Sequence, residues 1–348
     1  MVDRTLHLVG GESASEQVML AGIAGKIYSI DDIMMEGPVP NGLSSDSDWQ
    51  FRAQVIEQIF RVPADRYLKN KASREQLLCR ISDFDETVFW FEQSLFCQIN
   101  FLQFFAWLAD RVPFSTKLSI AAWNMDSVGR LNAERSRELF AQRKPASGAL
   151  FKLSKVAWAA YCAPDPLQLA TLVRQHDFSA WPELRGGLEM HMKRFPGETR
   201  LNFLETSLLE FIEEMGPAGA SIIELVGRFF TEPRTRGYGL GDIQIIAHLN
   251  ELAQSPSPLI TQTSSGADPS ESNLMNAVAF RVDPVTAKEP MPVKTKFVLT
   301  PRGRTMLAGN REEEFERHTV RWLGGVHLEN GPDHWRWDHA LGLVAGID

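Results

Sequence analysis

The segment Leu6-His7-Leu8-Val9 runs into Gly10-Gly11-Glu12-Ser13 and then into an amphipathic stretch that ends near Leu20. An apolar run, a double glycine and a helical period are the opening strand, turn and helix of a Rossmann-like sheet. No other feature constrains the chain as strongly. A strand followed at once by a helix returns as a parallel neighbour through a right-handed crossover. In such a sheet a ligand belongs outside the carboxyl ends of the strands, where the strand order changes direction.

The alternation continues along the chain. TLHLVG, KIYSI, ETVFWFE and KLSIAAW are strand-like runs separated by helical patterns, one of them a very apolar helix starting at Leu95. They predict an α/β fold with a mostly parallel, doubly wound sheet over residues 1–125. The stretch from Asp31 to about Asn70 interrupts this order. Its Glu36-Gly37-Pro38-Val39-Pro40 element must be extended, because proline fixes φ and is excluded from helix interiors, and it is expected as a loop folding over the sheet edge. Residues 126–198 read as a helical connector punctuated by Pro145, Pro164, Pro166 and Pro182. Residues 199–310 give three helices and then two strands, the winged-helix order, with TSSGADPSESN between the strands as a wing tip or insertion. Residues 311–348 contain Arg321 to Leu328 and Trp335-Arg336-Trp337-Asp338, which suggest a C-terminal β-hairpin turning at Asn330-Gly331-Pro332 and docking back on the protein.

With 44% hydrophobic and 23% charged residues over 348 positions, the chain is an ordinary globular one with a large core. A formal net charge of -8 repels polyanions, which weighs against non-specific binding to nucleic acid or anionic membranes. Cys79, Cys97 and Cys162 have spacings that form neither a disulfide framework nor a zinc signature. The first residues lack a basic region followed by an apolar one. Both observations point to the cytoplasm. The longest apolar run, 95–109, contains Gln98, Asn100 and Gln103 and falls short of the roughly 18 residues that span a bilayer, so no membrane association is expected.

The predicted strand ends gather Gly10 to Ser13, Asp31 and Asp32, Glu92 to Ser94, and Trp123 with Asn124, which makes this edge the default pocket. Gly10 and Gly11 let the backbone approach a ligand, and the next helix offers its free N–H groups to an anion. The segment has neither the GxGxxG pattern nor the lysine of a phosphate-binding loop. Ser13-Ala14-Ser15-Glu16 also fits a capping box that would use the same donors. Glu92 follows VFWF beside an apolar helix, where burial raises a carboxyl pKa, and is the acid/base candidate.

His7 and Gln98 join the ligand-binding set, each with a structural alternative as a hydrogen-bonded core residue. His318, His327, His334 and His339 lie with Glu329, Asp333 and Asp338 near the C-terminus. Their spacings match no metal motif, so no metal is expected and the cofactor stays open. His327 enters the set because the C-terminal hairpin is placed to close the pocket. There is no GxSxG elbow and no cysteine in an activating setting.

A second class of function is DNA or protein binding through residues 199–310. Between residues 200 and 310 ten Lys and Arg face twelve Asp and Glu, a net of -2, and Gly237 to Ser255 contains no Lys or Arg. A recognition helix ordinarily carries basic and amide side chains for phosphates and base edges. Arg234, Arg236, Lys294, Lys296, Arg302 and Arg304 are the available cations, and packing or protein contact is favoured over DNA.

LHLVGGES, the D-x-x-x-E-G-P-V-P of Asp32 to Pro40, VFWFEQSLFCQINFL, and the closing RWLGGVHL with WRWD together resemble a bacterial family known as domain of unknown function 1835, over most of the chain. The resemblance implies a Rossmann-like N-terminal domain and brings no settled activity. Members commonly show Gly-Asp-Ser where this chain has Gly11-Glu12-Ser13, and Glu-His-Asp where it has Glu92-Gln93-Ser94. The missing His and carboxylate put catalysis at that strand end in doubt and imply a binding-only or divergent member. The expectation is therefore a small anionic metabolite or nucleotide at the strand-end edge, with Glu92 as acid/base if there is chemistry. The alternative is a regulator that acts on DNA or a protein.

Overall fold

The structure is a computed structural model that describes residues 4–30, 32–111, 117–123, 131–263, 296–310, 314–317, 320–328 and 335–346. Four strands, β1 (Thr5–Gly10), β2 (Lys26–Ile30), β3 (Glu86–Glu92) and β4 (Lys117–Trp123), pair in parallel, and the two-residue β5 (Lys144–Pro145) adds antiparallel to β4. The order is β2-β1-β3-β4-β5. All four expected parallel strands are present at the expected places.

Alternation along the inner strands explains why both faces read as apolar. On β3, Phe89 and Phe91 enter the larger core, while Val88 and Trp90 enter a smaller core on the opposite face with Val9, Val18 and Leu139. A strand buried on both sides sends successive side chains to opposite layers, so every position is apolar. α1 (Glu12–Leu20) and α5 (Ala133–Ala141) pack together on the smaller-core side. The other face carries α4 (Leu95–Leu108), whose residues are buried nearly all round, so it is a core helix.

The interruption after β2 is a buried loop followed by helices. Ile33, Met34, Met35 and Val39 are buried, so the loop is driven into the core and does not lie over the sheet edge as expected. It delivers the chain to α2 (Asp46–Phe60), which starts in a capping box of Ser45 and Asp48, and to α3 (Ala64–Cys79). α6 (Gly148–Tyr161), α7 (Leu167–Gln175) and α8 (Pro182–Met192) follow α5 as the expected helical stretch.

The next segment runs α9 (Phe203–Glu214), β6 (Ala220–Ser221), α10 (Ile222–Thr231), α11 (Pro233–Arg236), α12 (Asp242–Gln254), β7 (Ile260–Thr263) and β8 (Lys296–Leu299). Its small antiparallel sheet has the order β6-β8-β7. The predicted wing tip TSSGADPSESN lies outside the described residues apart from Thr263, which ends β7.

The C-terminal region is built of antiparallel β-hairpins, as expected. β9 (Arg321–Leu323) pairs with β10 (Val326–Leu328), and β11 (Trp335–Asp338) pairs separately with β12 (Leu343–Gly346). Among the described residues there are thus two hairpins, and the expected turn Asn330-Gly331-Pro332 lies outside the described residues. The Gly324-Gly325 pair is a two-residue turn with Gly324 at φ 64°, a short-range hairpin signal stronger than the one read from the sequence. It rests on the end of α6, where Gly325 N donates to Tyr161 O at 3.0 Å and a Cβ on either glycine would run into the Tyr161 or Cys162 carbonyl.

Candidate functional site

From β1 the chain moves outward to β2 and then returns past β1 to β3. The reversal therefore falls between β1 and β3, and their carboxyl ends carry Gly10-Gly11 and Glu92 to Ser94. α1 begins at Glu12 with Gly11 as its N-cap at φ 91°, and no side chain caps it. The capping box expected at Ser13 is absent, because the helix starts two residues earlier than that motif requires. Ser13 stands exposed in the first turn, and Ser15 Oγ instead donates to Gly11 O at 3.0 Å.

The two glycines serve different ends. Among the described residues a Cβ on Gly11 would meet nothing within 4 Å, so none of them fills the space over the α1 N-terminus there. A Cβ on Gly10 would stand 2.9 Å from Cys97 Sγ, so this glycine lets β1 end against α4.

Across the reversal, burial pushes the Glu92 carboxyl above its ordinary value, opposed only by a hydrogen bond with Ser94. Burial and the adjacent Glu92 push the Cys97 thiol up as well. The thiol is thus held protonated, which removes it as a nucleophile.

The start of α4 is covered from a distant part of the chain. Leu95 N donates to Gly237 O at 2.8 Å, Phe96 N to Tyr238 O at 3.2 Å, and Cys97 N to Ser94 Oγ at 3.3 Å. The close approach requires Gly239, where a Cβ would stand 2.6 Å from Ser94 Oγ. The loop between α11 and α12 thereby supplies the acceptors for the α4 N-terminus. It takes the place over the strand ends that was expected of the C-terminal hairpin.

Asp32 is next to this edge but is committed to the fold. Its carboxylate accepts from Tyr67 Oη at 2.9 Å, Arg74 Nη1 at 2.8 Å and Arg52 Nη2 at 3.4 Å. Burial alone would raise its pKa; Arg74 and Arg52 outweigh that and hold it below the ordinary value. Arg52 also donates to Glu36 O, Pro38 O, Ile33 O and Tyr67 Oη, so all five of its N–H groups have acceptors. A caged carboxylate of this kind holds the buried loop and leaves no lone pair directed at a ligand.

His7 is a core residue. Trp90 Nε1 lies 3.0 Å from His7 Nδ1, and an indole N–H can only donate, so Nδ1 accepts. Nε2 then carries the proton toward Ala24 O at 3.0 Å. Gln98 is buried, with Nε2 donating to Gln93 O at 3.2 Å and its amide packed on Gly187 of α8. His327 is exposed on β10 and stacks on Trp322 at 4.4 Å, in the hairpin seated on the end of α6. Of the expected site residues, the structure gathers Gly10, Gly11, Ser13 and Glu92. It assigns Asp32 and His7 to the core. Asp31, Asn124, His318 and His334 lie outside the described residues.

One buried assembly has no local sequence signal. Arg317 grips Glu205 of α9 with two hydrogen bonds, Nη1 to Oε1 at 2.5 Å and Nη2 to Oε2 at 2.9 Å. Arg321 reaches the same carboxylate at 3.1 Å, His248 of α12 stands 4.0 Å away, and Arg194 pairs with Glu36 at 2.6 Å. Burial and the neighbouring Arg321 press the His248 pKa down to about 4. Its members come from five separated segments, which is why no spacing pattern reveals them.

Among the described residues no helix is long and apolar enough to cross a membrane. Comparison with known proteins gives neither a matching family model nor a matching curated protein.

Proposed function

We propose that the protein binds a small anionic metabolite or nucleotide at the reversal between β1 and β3. The observation that carries this reading is the uncapped α1 N-terminus, open above Gly11, on the strand next to the raised-pKa carboxyl of Glu92. The first-turn N–H groups of Glu12, Ser13 and Ala14 have no partner within their own helix and attract an anionic group. Burial favours the neutral carboxyl of Glu92, the form that can donate a hydrogen bond to a ligand oxygen, which suits binding. Acid/base chemistry would rest on Glu92 alone, since Gln93 and Ser94 supply no second group that titrates near neutrality.

The test uses AMP and 3-phosphoglycerate as probes in calorimetric titration. Ser13→Asp places a carboxylate at the anion position without straining an exposed helix start, and is expected to weaken binding by about tenfold or more. Glu12→Gln removes a competing charge and is expected to strengthen it. Absence of binding to the intact protein, or equal binding by Ser13→Asp, contradicts the reading.

The DNA alternative lacks comparable support. Arg234 pairs with Glu210 at 2.5 Å, Arg304 with Glu213 at 3.6 Å, and Arg302 donates to Glu314 O at 3.1 Å. α12, in the position of a recognition helix, buries Gln244 and turns His248 toward Glu205. A role in internal packing accounts for both observations.

Membership of the family of unknown function 1835 is proposed on the four motifs, whose residues touch one another. Gly10 abuts Cys97, Asn100 holds Asp32, and Val39 N donates to Gly324 O at 3.2 Å. The cytoplasm is proposed as its compartment, consistent with free thiols at Cys79, Cys97 and Cys162.

A further inference from the structure

A second recess stands away from Gly10 and Glu92. The loop through Gly42, α3, the far half of α4 and the far half of α6 enclose a cleft of about 990 Å³. Volumes of this order take a whole small molecule. α4 runs back from the strand-end edge, so its 14 residues carry Trp107, with Arg111 just beyond the helix end, roughly 20 Å from Ser94. Nothing argued for the strand-end site involves this cleft.

Its walls are unusually rich in tryptophan: Trp49, Trp107, Trp158 and Trp322, four of the nine in the chain. Trp158 is engaged, with its indole N–H donating to Gly42 O at 3.4 Å and its ring stacked on Tyr161. Trp107 and Trp322 are only partly buried, and among the described residues their indole N–H groups make no hydrogen bond. Both can only donate.

The charges lean the same way. Arg111 is exposed, lies over Trp107 at 4.6 Å and donates to Trp107 O at 3.0 Å. Among the described residues no carboxylate pairs with it. The two acids of the cleft wall, Asp46 and Glu75, are both met by Lys71, at 3.3 and 2.9 Å. The amides of Gln103 and Gln168 also line the cleft and can both donate and accept, whereas the charge left without an opposite partner among the described residues is the Arg111 cation, set among flat apolar rings. Their complement is flat, rich in acceptors and negatively charged.

We infer that this cleft binds a planar aromatic anion, with its ring among the tryptophans and its carboxylate or phosphate on Arg111. The probes are 1-naphthoate and 1-naphthyl phosphate, titrated calorimetrically against the full chain, with 1-naphthalenemethanol and 1-naphthylmethylamine as neutral and cationic controls. The expected result is one-to-one binding of at least one anion, about tenfold tighter than either control. Arg111→Gln, at an exposed position that does not endanger folding, is expected to weaken it about tenfold, the scale of one charge-assisted hydrogen bond. Trp107→Ala is expected to weaken it further, and Ser13→Asp to leave it unchanged. The inference is overturned if neither anion binds, if the alcohol or amine binds as tightly, or if Arg111→Gln retains full affinity. Carboxylate against phosphate preference separates the two kinds of natural ligand.

Discussion

Asn100, in the middle of α4, donates from Nδ2 to the backbone oxygen of Asp32 at 2.5 Å, and its Oδ1 accepts Met34 N at 3.1 Å. One amide thus satisfies two backbone groups of the loop that crosses the core. In the sequence the same residue is an anomaly, a polar side chain within an apolar helix.

Replacing Asn100 by Leu keeps the volume and removes both bonds. Two buried backbone groups are left without partners, and the loss is expected to be about 3 kcal/mol. Chemical denaturation measures it, and a loss below about 1 kcal/mol would mean the loop finds other partners.

The Gly324-Gly325 turn predicts a contrast between glycines. Gly325→Ala drives a methyl into the Cys162 carbonyl and is expected to cost about 2–4 kcal/mol by forcing the hairpin off α6. Gly227, inside α10 with open space at its Cβ position, behaves oppositely. Gly227→Ala is expected to stabilise by about 0.5–1 kcal/mol, because it restricts the unfolded chain and suits a helix. Thermal melts of the two variants decide the matter, and a common sign for both would contradict the assignment.

Acid sensitivity follows from His248. Its pKa falls from 6.5 to about 4 on folding, so between these values the unfolded chain binds more protons and stability declines as the pH falls. The contribution lost across that window is on the order of 3 kcal/mol. His191, also held well below 6.5 by burial, adds to the same slope. Glu205 and Asp32 have lowered pKa values, so their contributions disappear only at more acidic pH, as each carboxylate is protonated. Melting temperatures from pH 7 to pH 3 should therefore begin to fall near pH 6.5, and His248→Gln should flatten the first part of that fall. An unchanged profile in the variant would remove His248 as the source.

Glu92 predicts the opposite slope. Its folded pKa lies above 4.5, so above pH 4.5 the unfolded carboxyl loses its proton first and stability declines as pH rises toward the folded value. Glu92→Gln abolishes this penalty and is expected to melt higher than the parent at pH 7, with the difference vanishing near pH 4. A variant less stable than the parent at pH 7 would show an ionised, partnered Glu92.

The parallel sheet and its helices are legible in the local residue pattern. β1, β3 and β4 are buried on both faces, so their own residues carry the pattern, and Gly10-Gly11 marks the turn because glycine alone serves both the close approach to Cys97 and the φ of the N-cap. Glu92 was legible for the same local reason, as a carboxyl ending an apolar strand. What those residues meet depends on the packing of distant segments. Only the tertiary structure shows that Gly237 and Tyr238 cover the α4 N-terminus while no described residue covers the α1 N-terminus above Gly11, and that Asp32 is caged by Arg52, Tyr67 and Arg74. It alone gathers Glu205, His248, Arg317 and Arg321 in one buried cluster, and Trp107 and Trp322 around one cleft. Hydrogen bonds and ion pairs between residues tens to hundreds of positions apart depend on how the helices pack, and no local period records them.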